Sequence, residues 1–225
     1  MNSEADLIRG RFRTPRAAAV AGILFSLLLT ASMFLIRTSI PADPLAGAAD
    51  VINHSKRIAL ALNMLPFAGI SFLWFVGVLR DRVGKLEDRF FGTVFLGSAL
   101  LFLGMIFAAG AVAAGIIRLL GSGSLMGPGV YALGRIGIYQ VMHLYAIRMA
   151  GVFMISTSTI SLRTGIVPRW MAFLGFALAL ALLLSNGTIN GLLLVFPLWV
   201  LSISVHILID NSQGRPETAA GSSTE

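Results

Sequence analysis

Long apolar runs constrain this chain more than any other feature of its sequence. Six of them follow one another, and roughly 20 helical residues are needed to cross about 30 Å of hydrocarbon; the fifth run is shorter than this and the third and fourth are longer. Only 12% of the residues are charged, about half the share of an ordinary globular domain. The pattern predicts an all-α fold, a polytopic transmembrane helix bundle with six spans. The predicted spans are about 17–36, 58–79, 91–117, 136–162, 170–184 and 189–209.

The two ends of the chain differ from this central part. Residues 1–16 form a basic N-terminus, residues 17–210 the six-helix transmembrane domain, and the polar residues 211–225 a tail that we expect to be disordered. The first apolar run is longer than the roughly 7–15 residues of a signal peptide. We therefore expect it to be a retained helix.

The distribution of Lys and Arg predicts the orientation. Eleven of the 17 lie at the N-terminus, in the second and fourth loops and in the tail, and five lie on the opposite side. The richer side is expected to face the cytoplasm, which places both termini there. The net charge of +7 is then explained by topology and by contact with anionic membrane lipids, and no nucleic-acid partner is predicted.

The fourth span is unusually polar. On a regular helix with 100° per residue, its polar side chains fall on two opposite faces, so we expect it to be central in the bundle or to line a wet cavity. By residue count Arg148 lies near mid-depth, and no Asp or Glu lies well inside any predicted span. The candidate binding residues are Arg148, His143, Tyr139, Tyr145 and Gln140.

Several environments would satisfy these side chains. Arg148 needs carbonyl groups, hydroxyl groups, water, an anionic ligand or lipid, or an acidic residue of another protein, unless it extends to the membrane surface. His143 is either a hydrogen-bonded core residue or part of a polar site. The sequence leaves these alternatives open.

The sequence contains no recognisable catalytic or cofactor-binding motif. Cysteine is absent, and the spans lack the paired carboxylates and the His/Asp groups that intramembrane chemistry and metal binding require. The glycine-rich loop 121–129 lacks the Gly-Lys-Ser/Thr of a phosphate-binding loop. We predict no catalytic residues, no metal and no cofactor.

Small residues at four-residue spacing predict close helix packing. The pairs are Ala18/Gly22 in the first span and Gly104/Ala108 and Ala111/Gly115 in the third. We expect them to pack within the bundle, with a homo-oligomer interface as the alternative.

Three segments resemble a bacterial membrane-protein family, domain of unknown function 4386. They are the Ala-rich stretch 46–60 that enters the second span, His143 on the fourth span, and the turn from Ser161 through Gly165, Pro168 and Arg169 to Gly175. The resemblance implies six helices, a bacterial cytoplasmic membrane and a role for His143, but no activity, because the family has none established. From the residues alone, Gly165 is expected to end the fourth helix and Pro168 to start the fifth.

Three functional hypotheses follow. The first is a non-enzymatic accessory or lipid-interacting membrane subunit, with membrane lipids and a partner membrane protein or a second copy as candidate partners. The second is a small carrier or channel for an anionic or amphipathic solute, with kinks at Pro66 and Pro197. The third and weakest is a lipid-modifying membrane enzyme.

Overall fold

The computed structural model describes residues 3–40, 49–83, 89–122, 127–165, 167–185 and 191–213. All regular secondary structure in these ranges is helical, as predicted. A six-residue π-helical segment, Val141–Ala146, joins the fifth helix to the sixth without a break. The α-helices in chain order are α1 (Ser3–Ser39), α2 (Ala49–Asn53), α3 (Ser55–Val83), α4 (Arg89–Gly121), α5 (Pro128–Gln140), α6 (Ile147–Thr164), α7 (Arg169–Leu184) and α8 (Leu192–Gln213).

Five stretches of the described chain are helical, long enough and apolar enough to cross a membrane, so the chain is a multi-pass membrane protein. The predicted fifth span corresponds to α7, which has only 16 residues and is shorter than these five. The five stretches are Arg16–Ser39, Ser55–Arg80, Gly92–Gly121, Gly129–Thr164 and Leu192–Asp210.

The helices extend beyond the predicted spans. Helix α1 begins at Ser3, within the predicted basic N-terminus, and α8 continues to Gln213, within the predicted tail. Residues 214–225 of that tail lie outside the described residues. Neither Pro66 in α3 nor Pro197 in α8 interrupts its helix.

The turn between α6 and α7 confirms the prediction from its sequence. Gly165 adopts a left-handed conformation with φ of 67°, and its N–H donates to the carbonyl oxygen of Ser161 at 2.9 Å. Pro168 is the N-cap of α7. A left-handed glycine ends a helix because it carries no Cβ to clash.

Aromatic rings hold the centre of the bundle. The ring of Phe72 in α3 lies 4.6 Å from that of Phe25 in α1, 5.7 Å from Phe102 in α4, 5.2 Å from Phe153 in α6 and 5.7 Å from Phe196 in α8, measured between centroids. All five side chains are buried. Five helices therefore meet at one level.

The small-residue pairs behave differently in the two spans. Gly22 packs so closely against α8 that a Cβ atom there would collide with Oγ of Ser204, which confirms close packing in the first span. In α4 the prediction of packing within the bundle is wrong. Gly104 and Gly115 have nothing within 4 Å of a Cβ position, and Ala108 and Ala111 are exposed.

We call distal the end of the bundle at which α1, α4 and α7 end and α3, α5 and α8 begin, and we call the opposite end proximal. There α4 and α5 continue side by side, and a Cβ at Gly134 would lie 2.7 Å from Cδ1 of Ile116. A small second cluster of buried side chains covers this region, formed by Val51, Ile58 and Tyr131.

Candidate functional site

All five predicted site residues lie on the continuous helix that comprises α5, the π segment and α6. Tyr139 and Tyr145 are exposed, at 42% and 51%, and Gln140 is also exposed. His143 and Arg148 are partly buried. The structure thus distributes the five residues over different environments.

Tyr139 and His143 are brought together. Their rings stack with centroids 4.0 Å apart and an interplanar angle of 13°. Nδ1 of His143 lies 3.3 Å from the carbonyl oxygen of Tyr139, a distance that suits an Nδ1–H donor. His143 is thus a hydrogen-bonded residue, oriented by the helix that carries it.

The π segment changes which polar residues share a face. A π turn accommodates one residue more than an α turn, so the 100° spacing used for the sequence does not hold between Tyr139 and Arg148. The eight residues between them include the whole of Val141–Ala146. Helix faces assigned to residues before the π segment therefore cannot be combined with those assigned after it on one helical wheel of 100° per residue.

Arg148 has the least satisfied polar side chain of the five. Its Nε is buried and has no hydrogen-bond partner among the described residues. A buried donor without a partner costs about 1–3 kcal/mol. The arrangement leaves Arg148 able to bind an acceptor from outside the chain.

The contacts of α6 with α7 give the depth of Arg148. A Cβ at Gly151 would lie 3.2 Å from the carbonyl oxygen of Ala179 and 3.1 Å from Cγ of Leu183, in the last turns of α7. Arg148 is about 4.5 Å closer to the distal end than Gly151. It is therefore level with the end of α7 at Leu184. Within the apolar helical stretch Gly129–Thr164 it lies near the middle, as residue count predicts, while relative to α7 it lies at a helix end.

Arg37 is a neighbour of this region that the sequence did not indicate. It lies in the last turn of α1 and is close enough to His143 to act on it electrostatically. Arg16 and Arg37 are about 31 Å apart along α1, close to the thickness of the hydrocarbon. His143 is thus near one apolar boundary of α1, and Arg148 lies about 7 Å further in.

A narrow apolar cleft lies inside the distal half of the bundle. Its lining includes Met33 of α1, Met142 of the π segment, Leu182 of α7 and Phe196 of α8. With about 10 Å³ of space for the centre of a water molecule, it barely admits one water. Arg148 is not part of its lining, so the expected wet cavity around Arg148 is not this cleft.

The described residues contain no group of three or more His, Cys, Asp or Glu side chains that could hold a metal ion. Comparison with known proteins found no matching family model, no matching curated protein and no matching solved structure. The resemblance to the family domain of unknown function 4386 therefore stays a prediction.

Proposed function

We propose that this chain is a non-enzymatic accessory membrane subunit. It interacts with lipids through the helix that carries Arg148. One observation carries the proposal: a guanidinium whose Nε is buried without a hydrogen-bond partner among the described residues, in a chain with no acidic residue well inside its apolar spans. An arginine in such a position is expected to bind an anion supplied from outside the chain.

The proposal includes a topology with six crossings and both termini in the cytoplasm. Helix α7 is short, but its apolar sequence is followed by the polar residues 185–191 and then by α8, as expected for a crossing that ends at the distal surface. The excess of Lys and Arg on one side supports a cytoplasmic proximal end. The family resemblance supports a bacterial cytoplasmic membrane.

The two alternative functions gain no support from the geometry. A carrier needs a path for its solute, whereas the distal cleft is apolar and barely wide enough for one water. A lipid-modifying enzyme needs an acid–base or metal group, whereas the contacts of His143 among the described residues are with the ring and the carbonyl oxygen of Tyr139 on its own helix.

Native mass spectrometry of the protein in nanodiscs made from native lipids tests the proposed function. We expect an acidic lipid or a partner subunit to remain bound to the wild type and to be lost from Arg148→Gln. Arg169→Gln is the matched control, because Arg169 is an exposed arginine at the opposite end of the bundle. Identical bare particles for all three proteins would contradict the proposal.

A further inference from the structure

Helix α6 has one narrow stripe that its neighbours do not cover completely. Between Ile147 and Ser161 ten of the 15 residues are buried, and the five that are only partly buried are Arg148, Met149, Val152, Ile155 and Thr159. Four of these five, all except Met149, follow one another at sequence intervals of four, three and four positions, so they lie on one face of the helix. This stripe, which we call the Arg148 stripe, consists of Arg148, Val152, Ile155 and Thr159.

The stripe lies between the two helices that pack on either side of α6. On one side Gly151 faces Ala179 of α7. On the other side the ring of Phe153 stacks on that of Phe95 of α4, with centroids 4.9 Å apart. At 100° per residue the stripe falls between these two contact faces. The stripe is therefore the partly open face of α6 between its contacts with α7 and α4, and we call this face the groove.

The groove has a polar end and an apolar length. Arg148 is at its distal end, level with the end of α7, and Val152, Ile155 and Thr159 follow over about 16 Å toward the proximal end. The hydroxyl of Thr159 donates to the carbonyl oxygen of Ile155 at 2.9 Å, so its methyl group is left to face the groove. A cation about 7 Å inside the apolar boundary of α1, followed by an apolar track, has the same order of groups as a phospholipid.

We propose that this groove binds one acidic phospholipid of the distal leaflet, with its phosphate on the guanidinium of Arg148 and one acyl chain along the Arg148 stripe. A guanidinium binds phosphate with two parallel hydrogen bonds and is always charged. The side chain of Arg148 can extend from its Cα toward the headgroup region, as long basic side chains do near helix ends. The proposal rests on the proposed function and names the lipid site.

A lipid suits this groove better than a protein partner. A second copy of the chain has no Asp or Glu within its apolar spans to pair with Arg148. Phosphates, by contrast, are present at the membrane boundary, about 7 Å from the level of Arg148 and within reach of its long side chain. A partner helix with its own carboxylate is the competing occupant, and the experiment below separates the two.

The test uses photoactivatable phosphatidylglycerol with a diazirine in its acyl chain, in phosphatidylcholine nanodiscs that contain the purified protein. After irradiation, mass spectrometry of the peptides maps the labelled residues. We expect labelling of residues 152–159, reduced about tenfold or more by Arg148→Gln, since a charge-assisted hydrogen bond is lost. Arg148→Lys is expected to retain part of the labelling, and Arg169→Gln all of it.

Two further labelling experiments test whether the labelling depends on the groove and on the charge of the lipid. Ile155→Trp fills the groove without changing any charge and is expected to reduce the labelling as well. Photoactivatable phosphatidylcholine is expected to label residues 152–159 weakly, and equally in the wild type and in Arg148→Gln. Gel filtration and circular dichroism establish that each variant is folded before it is labelled.

The outcomes separate this site from the proposed function. If acidic lipid stays bound to the wild type but residues 152–159 are labelled equally in Arg148→Gln, the groove site is wrong and the proposed function stands. A co-purified membrane protein lost from Arg148→Gln supports the accessory function and overturns the lipid site. If the wild type binds neither lipid nor partner, both proposals are wrong.

Discussion

Gly151 of α6 packs directly against the backbone of α7, where a Cβ atom would lie 3.2 Å from the carbonyl oxygen of Ala179. This contact sets the register of the two helices and with it the level of Arg148. The residue at 151 must be small because a backbone carbonyl cannot move aside as a flexible side chain can.

Replacing Gly151 with valine is expected to destabilise the protein by about 1–3 kcal/mol, the usual effect of overpacking a buried contact. The measurement is the thermal unfolding midpoint in a neutral detergent. Gly104→Val in α4 is the matched control, because nothing lies within 4 Å of a Cβ at that position. Equal midpoints for the two variants would show that the close α6–α7 contact is absent.

The contact between Gly22 and Ser204 offers a second test. Gly22→Ala is expected to lower the unfolding midpoint, even though alanine favours a helix by about 1 kcal/mol over glycine, because its Cβ collides with Oγ of Ser204. Ser204→Ala removes a buried hydroxyl that has no hydrogen-bond partner among the described residues. That change alone is expected to be neutral or stabilising, and in the double variant it should restore part of the lost stability, since Cδ2 of Phe75 would still lie 2.8 Å from the new Cβ. Strict additivity of the two substitutions would contradict the contact.

Much of the fold could be predicted from local sequence. Apolar runs predict helices because a membrane leaves no other way to satisfy backbone groups along a single span. The turn at Gly165 and Pro168 was predictable because each residue has a specific backbone requirement. These features depend on residues that are neighbours in the chain.

The level of Arg148 relative to α7 and the position of Arg37 could not be predicted in this way. Counting residues along the fourth span places Arg148 in its middle, but the helix continues for about 30 Å beyond the end of α7. Only the contact of Gly151 with α7 shows the difference. The proximity of Arg37 to His143 joins residues over 100 positions apart, and the π segment has no sequence signal that we recognised.

The π segment predicts that one residue can be removed there. Deleting Leu144 is expected to convert Val141–Ala146 into an α-helical turn and to keep α5 and α6 in their present packing. Deleting Met154 from the regular helix α6 is the control, since it turns every preceding or following side chain by about 100°. We expect circular dichroism and gel filtration to show a folded protein for the first deletion only. Loss of folding in both would argue against an extra residue in the π segment.

Because Nε of Arg148 has no hydrogen-bond partner among the described residues, we expect Arg148 to lower the stability of the lipid-free protein while it enables the binding of acidic lipid. In neutral detergent, Arg148→Met is expected to stabilise the protein by about 1–3 kcal/mol, because it removes a buried donor with no partner. Added phosphatidylglycerol should raise the unfolding midpoint of the wild type but not of the variant, since a ligand stabilises only the protein that binds it. A variant less stable than the wild type without lipid would indicate that Arg148 has a structural role.

The absence of cysteine from the chain allows its topology to be measured with single introduced thiols. Ser3→Cys, Thr188→Cys and Ser212→Cys place one thiol near the N-terminus, one between α7 and α8, and one at the end of α8. With six crossings and both termini in the cytoplasm, a membrane-impermeant maleimide should label only Thr188→Cys in intact cells, and the other two only after permeabilisation. If α7 does not cross, the result is reversed for two positions, because Ser212→Cys becomes accessible from outside and Thr188→Cys does not. Labelling of both Ser3→Cys and Ser212→Cys in intact cells would instead invert the orientation and place the Arg148 stripe in the cytoplasmic leaflet.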